Sequence, residues 1–379
     1  MVARAWTRRN GRSDPPQGVL EADTRRVPEP RRDEPDRPTL IDVSGAIERL
    51  PRAIEPMRPR LAAGAFNSPE WLFELKWDGI RAIAFGGEDG QVRLQDRHGG
   101  DLLPLVPELR DLRVPAGSVV DGEVIVCDTR GRPSYELLAA RAGPKNLRRG
   151  RGPYFVGFDL LYEGGRALAG RPLHERRAKL QAGSYGGQRL LVPDHLDADG
   201  EPFLEVVAEY GLEGVVGKRR DSPYVPGTRS PDWLKYHVTP RVDAVLGGLV
   251  ADDHGARTVL CGLTNDDGSL SYAGDAAVPP FLASWLAGAL GAFVADASPF
   301  ARPIPLRSGL RWLRPRLVAI VEHDGANPKA LGDARFRALR FDARVGDCRA
   351  EEPLQMPSGP PSGSGERPRL VLLQSLPFS

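Results

Sequence analysis

Glu74-Leu75-Lys76-Trp77-Asp78-Gly79-Ile80-Arg81 is the stretch on which the reading of this chain turns. Side chains on a strand alternate between faces. Glu74, Lys76 and Asp78 therefore share one face, while Phe73, Leu75 and Trp77 share the other and look like core. Gly79 ends the run. A lysine between two carboxylates is an unusual strand ending. The ordinary explanation is an ion pair on a strand edge, which contributes little. A K-x-D-G string arises by chance about once per several thousand positions. Its neighbours must decide its meaning.

Four further segments carry the same kind of signal. In Val119-Val120-Asp121-Gly122-Glu123-Val124-Ile125-Val126, two acids point to one face of an apolar strand. Buried carboxylates need a partner, a metal or a proton. In Phe155-Val156-Gly157-Phe158-Asp159-Leu160-Leu161-Tyr162, Phe158 is either core or a stacking ring. In Leu212-Glu213-Gly214-Val215-Val216-Gly217-Lys218, the odd spacing keeps Glu213 and Lys218 off a common face. Glu213 therefore lies before the strand, or a bulge intervenes. In Trp233-Leu234-Lys235-Tyr236-His237, Lys235 and His237 share a face. Three lysines with Asp78, Asp121, Glu123 and Glu213 are what a nucleoside triphosphate and a divalent metal require. Carboxylates bind Mg²⁺ through oxygen, and cationic side chains neutralise phosphates.

The lysines are notable because they are rare. Of 52 basic residues only six are lysine, and three of those fall in the segments above. The 379 residues suggest two or three domains. At 41% hydrophobic and 27% charged the composition is ordinary for a globular protein. No apolar run reaches the roughly 20 residues a bilayer needs, and the Arg- and Pro-rich start has no secretory core. Cys127, Cys261 and Cys348 are odd in number and widely spaced, which excludes a disulfide scaffold or a zinc finger and makes a reducing cytoplasm the default. A formal net charge of +2 does not by itself announce nucleic-acid binding.

Residues 1–50 carry too little apolar surface to offset ordering entropy and read as a disordered tail. From 51 to 240, strands at Trp71–Trp77, Ile80–Phe85, Gln91–Leu94, Ser118–Cys127, Tyr154–Tyr162, Gly214–Lys218 and Trp233–His237 alternate with helices at Pro172–Gln181 and Pro202–Tyr210. This is an α+β pattern with antiparallel sheets. From 241 to 352, five short strands and one helix near Phe281–Val294 suit a small Greek-key barrel of the OB-fold kind. Residues 353–379 read as a flexible C-terminal tail. Within it, Gln374–Phe378 is a loose hydrophobic end.

The ordered series K-x-D-G-x-R, D-G-E, F-D-L-L, E-G-V-V-x-K and W-L-K resembles the nucleotidyltransferase motifs of ATP-dependent DNA ligases. The bacterial end-joining type, the ligase C and ligase D group, is the nearest resemblance, over about Pro56 to Glu352. It implies an α+β nucleotidyltransferase (ATP-grasp-like) adenylation domain followed by an OB-fold β-barrel domain. It implies an enzyme that seals 5′-phosphate/3′-hydroxyl nicks or ends through a covalent lysyl-AMP intermediate, using ATP with Mg²⁺ or Mn²⁺. Nicked or broken duplex DNA would be the partner, with end-bridging or repair polymerase proteins as further ones. The protein would be a cytoplasmic, nucleoid-associated bacterial monomer with no membrane contact.

By the same resemblance Lys76 is the nucleophile. Free lysine titrates near ~10.4 and attacks poorly at neutral pH unless burial and nearby positive charge act on it. Arginine stays protonated and cannot substitute. Glu74, Arg81, Arg97, Glu123, Phe158, Lys218 and Lys235 would bind the nucleotide, with Phe158 on the adenine and the two lysines at the α-phosphate. Asp78, Glu123 and Glu213 would hold metal, and Arg340, Asp342 and Arg344 would orient pyrophosphate. The chain departs from the family pattern at three places. His237 replaces a second lysine, which implies a weaker, pH-sensitive phosphate contact. His98 replaces an asparagine. Ala343 stands where the last motif has a base, with Arg344 adjacent, which implies impaired self-adenylylation. An RNA ligase or another nucleotidyltransferase of the superfamily shares K-x-D-G-x-R. A degenerate, non-catalytic DNA-end-binding protein would explain Ala343 and His237, though not the retained charge cluster.

Overall fold

The computed structural model describes residues 50–142, 148–325, 327 and 329–361. The N-terminal tail expected at 1–50, apart from its last residue, and the segment Gln374–Phe378 lie outside the described residues. In chain order the first strands are β1 (Arg58–Leu61), β2 (Asn67–Lys76), β3 (Ile80–Gly86), β4 (Val92–Asp96) and β5 (Val119–Cys127). Helix α1 (Tyr135–Ala142) leads to β6 (Arg151–Glu163), β7 (Arg166–Ala167), α2 (Leu173–Ala182), β8 (Leu190–Leu191) and β9 (Leu196–Asp199). Then come α3 (Gly200–Glu209), β10 (Gly214–Arg219) and β11 (Arg229–His237). The last part holds β12 (Arg241–Asp252), β13 (Gly255–Thr264), β14 (Leu270–Ala277), α4 (Ala283–Gly291), β15 (Val294–Ala295), β16 (Leu310–Leu313), β17 (Val318–Glu322) and β18 (Ala334–Arg340).

These strands form two sheets and a barrel. One sheet has the order β1-β11-β10-β2-β9, and the other β4-β3-β5-β6-β7 with β8 beside β6. The turn at Asp78-Gly79 carries the chain from β2 in the first sheet to β3 in the second. An ideal Cβ on Gly79 would lie 2.2 Å from the Val124 carbonyl oxygen on β5. Only glycine lets the chain cross between the sheets at that distance. The alternation expected on β2 is present. Phe73, Leu75 and Trp77 lie in one apolar cluster with Val215, Leu234 and Tyr236 of the neighbouring strands.

Two helices cover the sheets. On α3, Phe203, Val206 and Val207 are buried at helical spacing. On α2 the buried stripe is Leu173, Arg176, Arg177 and Leu180, so this helix puts two guanidinium groups into the interior. Both find partners. Arg176 makes a fully buried fork with Asp159 at 2.7 and 2.8 Å, and Arg177 reaches Glu74 at 2.8 Å.

The barrel closes because β12 pairs with both β13 and β17, while β14 and β18 complete the ring. Leu286 and Leu290 of α4 pack into its core. The first described residues of the tail expected from residue 353 make backbone contacts with the first sheet. Leu354 pairs with Ala62, and its N–H donates to the Leu61 carbonyl at 2.9 Å. Farther on, the Gly359 N–H donates to the Asn67 carbonyl at 2.8 Å. The open edge of β1 and the start of β2 supply backbone groups that this segment satisfies. Among the described residues no helix is long and apolar enough to cross a membrane.

Candidate active site

Three neighbouring strands present alternate residues to one pocket. β2 contributes Glu74 and Lys76, β10 contributes Val216 and Lys218, and β11 contributes Trp233, Lys235 and His237. The register explains this, because Lys76 sits opposite Gly214 and Glu74 opposite Val216, which in turn faces Lys235. The second sheet adds Arg81, Glu123 and Phe158, and the loop after β4 adds Arg97. The barrel adds Arg241, Arg340 and Asp342. The pocket has a volume of about 280 Å³.

Lys76 is the last residue of β2, and its Nζ donates to Glu213 Oε1 at 2.7 Å. Glu213 precedes β10, the first of the two arrangements its odd spacing from Lys218 allowed. Its other oxygen, Oε2, is buried without a hydrogen-bond partner. Asp78 stands in the turn beside them. Burial, reinforced by the neighbouring Glu213 charge, pushes the Asp78 carboxyl up to about 7 in spite of Arg241. Burial also pushes Glu123 up to about 8, against the opposing fields of Arg81, Lys76 and Arg340.

Glu74 has its charge satisfied. Lys218 Nζ donates to its Oε2 at 2.8 Å, and Arg177 lies 2.8 Å from Oε1. Burial raises the Glu74 carboxyl, but the Arg177 and Lys218 charges outweigh it and hold the group below its ordinary value. Lys218 is pulled below the usual lysine range by burial and by Arg177, although Glu74 opposes this. Its ammonium lies 4.0 Å from the Phe158 ring centre and 4.4 Å from that of Trp233. Arg81 stands 4.7 Å from the same Phe158 ring. The guanidinium of Arg81 forks onto Asp121 at 2.7 and 2.6 Å, and Tyr224 Oη donates to Asp121 at 2.7 Å. The ring therefore meets two cations across a buried polar layer.

Lys235 is paired more loosely, 3.5 Å from Glu351, and burial lowers it below the ordinary lysine value. Neither ring nitrogen of His237 has a hydrogen-bond partner. Burial, with Lys76, Lys235 and Arg241 around it, holds His237 well below the usual histidine range. The pH sensitivity expected near neutrality is thereby displaced to acid, because a charged imidazole would face three cations.

The last motif is split between two places. Arg340 forks onto Asp342 at 2.9 and 2.6 Å, and Tyr135 Oη donates to Asp342 Oδ1 at 2.8 Å. Arg97 Nε donates to the Asp342 carbonyl at 2.8 Å. Arg340 and Asp342 thus line the pocket, whereas Arg344 is exposed and lines a second cavity of about 460 Å³ with Arg58, Arg97, His98 and Asp347. Sequence reasoning did not find Arg177, Tyr135 or Arg241. Each is an ordinary residue in its own segment, and only its distant partner marks it.

The barrel is an OB-fold, and it follows a nucleotidyltransferase domain built of the two sheets, an architecture shared with a solved ligase. A mycobacterial DNA ligase D complexed with ATP and MES superimposes with a TM-score of 0.57 at 32% identity, covering 79% of this chain and 98% of that chain. Residues 57–237 match the family described as "ATP dependent DNA ligase domain". The chain belongs to the ATP-dependent DNA ligase family. DNA ligase C1 of Mycolicibacterium smegmatis is 32% identical over 317 residues, 76% of this chain and 89% of that protein. The "Multifunctional non-homologous end joining DNA repair protein LigD" of Mycobacterium tuberculosis is 34% identical over 291 residues, 73% of this chain. The match spans only 37% of the length of that larger relative.

Proposed function

We propose that this chain is an ATP-dependent DNA ligase that seals 5′-phosphate/3′-hydroxyl breaks through a lysyl-AMP intermediate, in end-joining repair. The observation that carries the proposal is Lys76 at the rim of a strand, its Nζ 2.7 Å from Glu213 in a pocket that also holds Lys218, Lys235, Arg81 and Arg340. The repair role is supported by the likeness to the end-joining LigD protein.

The roles follow from the chemistry of each group. Lys76 Nζ must shed a proton to attack, and Glu213 is the acceptor already bonded to it. The amine attacks the α-phosphorus, a P–N bond forms, and the bond to pyrophosphate breaks. Arg340, held in place by Asp342, is the cation offered to the departing charge, with Arg97 beside it. Lys218 and Lys235 neutralise the α-phosphate, and Phe158 supplies a face for the adenine. AMP then passes to the 5′-phosphate of the break, and the 3′-hydroxyl displaces it. The attack needs an amine that can give up its proton, which explains why an arginine-rich chain keeps a lysine here. Arginine would remain charged.

In residue type these acids suit a hard divalent cation such as Mg²⁺. Asp78, Glu123 and Glu213 offer oxygen, Glu213 Oε2 is buried and bare, and burial raises two of the three carboxyls. These three residues would hold the ion, which supplies charge neutralisation at the phosphates. Among the described residues no three such side chains converge on one point in this arrangement.

The test is intact-mass analysis after incubation with ATP and Mg²⁺, followed by sealing of a nicked DNA duplex. The expected result is an AMP adduct in the wild type and none in Lys76→Ala or Lys76→Arg, with sealing lost in parallel. DNA binding without any adduct would instead identify a non-catalytic end-binding protein. An adduct that seals only RNA strands would move the enzyme to the RNA branch.

A further inference from the structure

Arg241 is the first residue of the barrel, yet its side chain reaches back into the acid cluster. Its Nε and Nη2 lie 3.1 and 3.0 Å from Glu322 Oε1, on the strand paired with its own. Its Nη1 lies 3.5 Å from Asp78 Oδ2 and 4.0 Å from Glu213 Oε1. The grip on Glu322 is close and two-pronged, while that on the cluster is long. The guanidinium is therefore anchored on the barrel and leans over the two carboxylates. Lys76 already occupies Glu213 Oε1 at 2.7 Å, and Glu213 Oε2 has no hydrogen-bond partner at all.

We infer that Arg241 is a resident counter-ion that competes with the divalent cation for Asp78 and Glu213. The metal affinity of the site is then set by how firmly Glu322 holds Arg241 away. This rests on the reading of Asp78, Glu123 and Glu213 as the metal-holding acids.

The physical case is one of charge and reach. A single guanidinium stretched between two acids at these distances leaves both under-neutralised, whereas a divalent ion in direct contact with carboxylate oxygens would not. Both cations cannot occupy the same oxygens, so the entry of one drives the other off. Arg241 has somewhere to go, because Glu322 can hold it unaided. The reverse also holds. If the anchor weakens, the guanidinium settles more fully on Asp78 and Glu213. Because Arg241 belongs to the barrel, the position of the barrel and the occupancy of the metal site are linked, and such linkage is reciprocal.

The test uses Mn²⁺ alone, titrated into the full chain without ATP, with free Mn²⁺ read by electron paramagnetic resonance. Arg241→Gln should tighten Mn²⁺ binding by about tenfold, within the range of ordinary coupling between sites. Glu322→Gln should shift it in the opposite direction, weakening it by a few-fold. A general loss of structure would weaken both, so the opposed signs separate competition from unfolding. Affinity unchanged or weaker in Arg241→Gln overturns the inference, while loss of binding in Asp78→Asn and Glu213→Gln would leave the metal reading standing. If Mn²⁺ binding is indifferent to those acid substitutions as well, the metal reading fails and the inference falls with it.

Discussion

A buried charge is stable only with company, and Glu74 has two partners where a surface acid would have water. Lys218 takes one oxygen and Arg177 takes the other. Arg177 also donates to the Phe158 and Pro193 carbonyls at 2.9 and 2.6 Å, so its direction is set independently of the acid. Arg177→Met should leave Glu74 half-paired in the interior. The expected cost is about 3–5 kcal/mol, seen as a lower urea midpoint. At Asp78 and Glu123 burial outweighs the neighbouring cations, and the carboxyls are raised. Their folded values stand at about 7 and about 8, above the ordinary 3.8 and 4.5 of the free groups. Between the unfolded and folded values the native protein holds protons that the unfolded chain has released. The contribution of these two groups to stability is therefore fully present below pH ~4 and lost as pH rises through 7 to 8. Thermal unfolding from pH 5 to 9 should show a falling contribution, and the fall should shrink in Glu123→Gln.

At the scale of elements, the motif glycine and the first helix each have a packing reason. Gly79→Ala would set a methyl group 2.2 Å from the Val124 carbonyl, which is backbone and cannot swing aside. The two sheets would have to part at the turn that carries Asp78. Loss of about 1–3 kcal/mol is expected, together with slower formation of the AMP adduct in a time course. Helix α1 ties the second sheet to the barrel. The Tyr135 ring stacks on Phe341 at 5.9 Å, with Arg340 at 4.6 Å, and Glu136 pairs with Arg337 at 2.9 Å. Tyr135→Phe keeps the ring and removes the bond to Asp342. The expected change is about 1–3 kcal/mol, read by denaturant unfolding.

At the scale of the whole molecule, a net charge of +2 hides 52 basic residues against 50 acids. Association with duplex DNA through its arginines should be steeply salt-dependent. The slope of log affinity against log salt is expected to steepen by about 0.9 for each phosphate neutralised. Fluorescence anisotropy of a labelled nicked duplex between low and moderate salt measures it. A flat response would argue against duplex contact.

The sequence by itself determined what is local. The alternation Glu74, Lys76, Asp78 against Phe73, Leu75, Trp77 is written in a period of two, and it fixed which side chains face the pocket and which the core. The same reasoning kept Glu213 and Lys218 off a common face of one straight strand, leaving open whether Glu213 preceded the strand or a bulge intervened. Tertiary structure decided the pairings. Lys218 meets Glu74 across 144 residues, and Tyr135 meets Asp342 across 207. No periodicity links such positions, because a charge selects its partner through space after the sheets and barrel have closed. It also put Arg344 outside the pocket and brought Arg241 in, since the few ångströms that decide an ion pair depend on how strands cross and not on which residues neighbour one another along the chain.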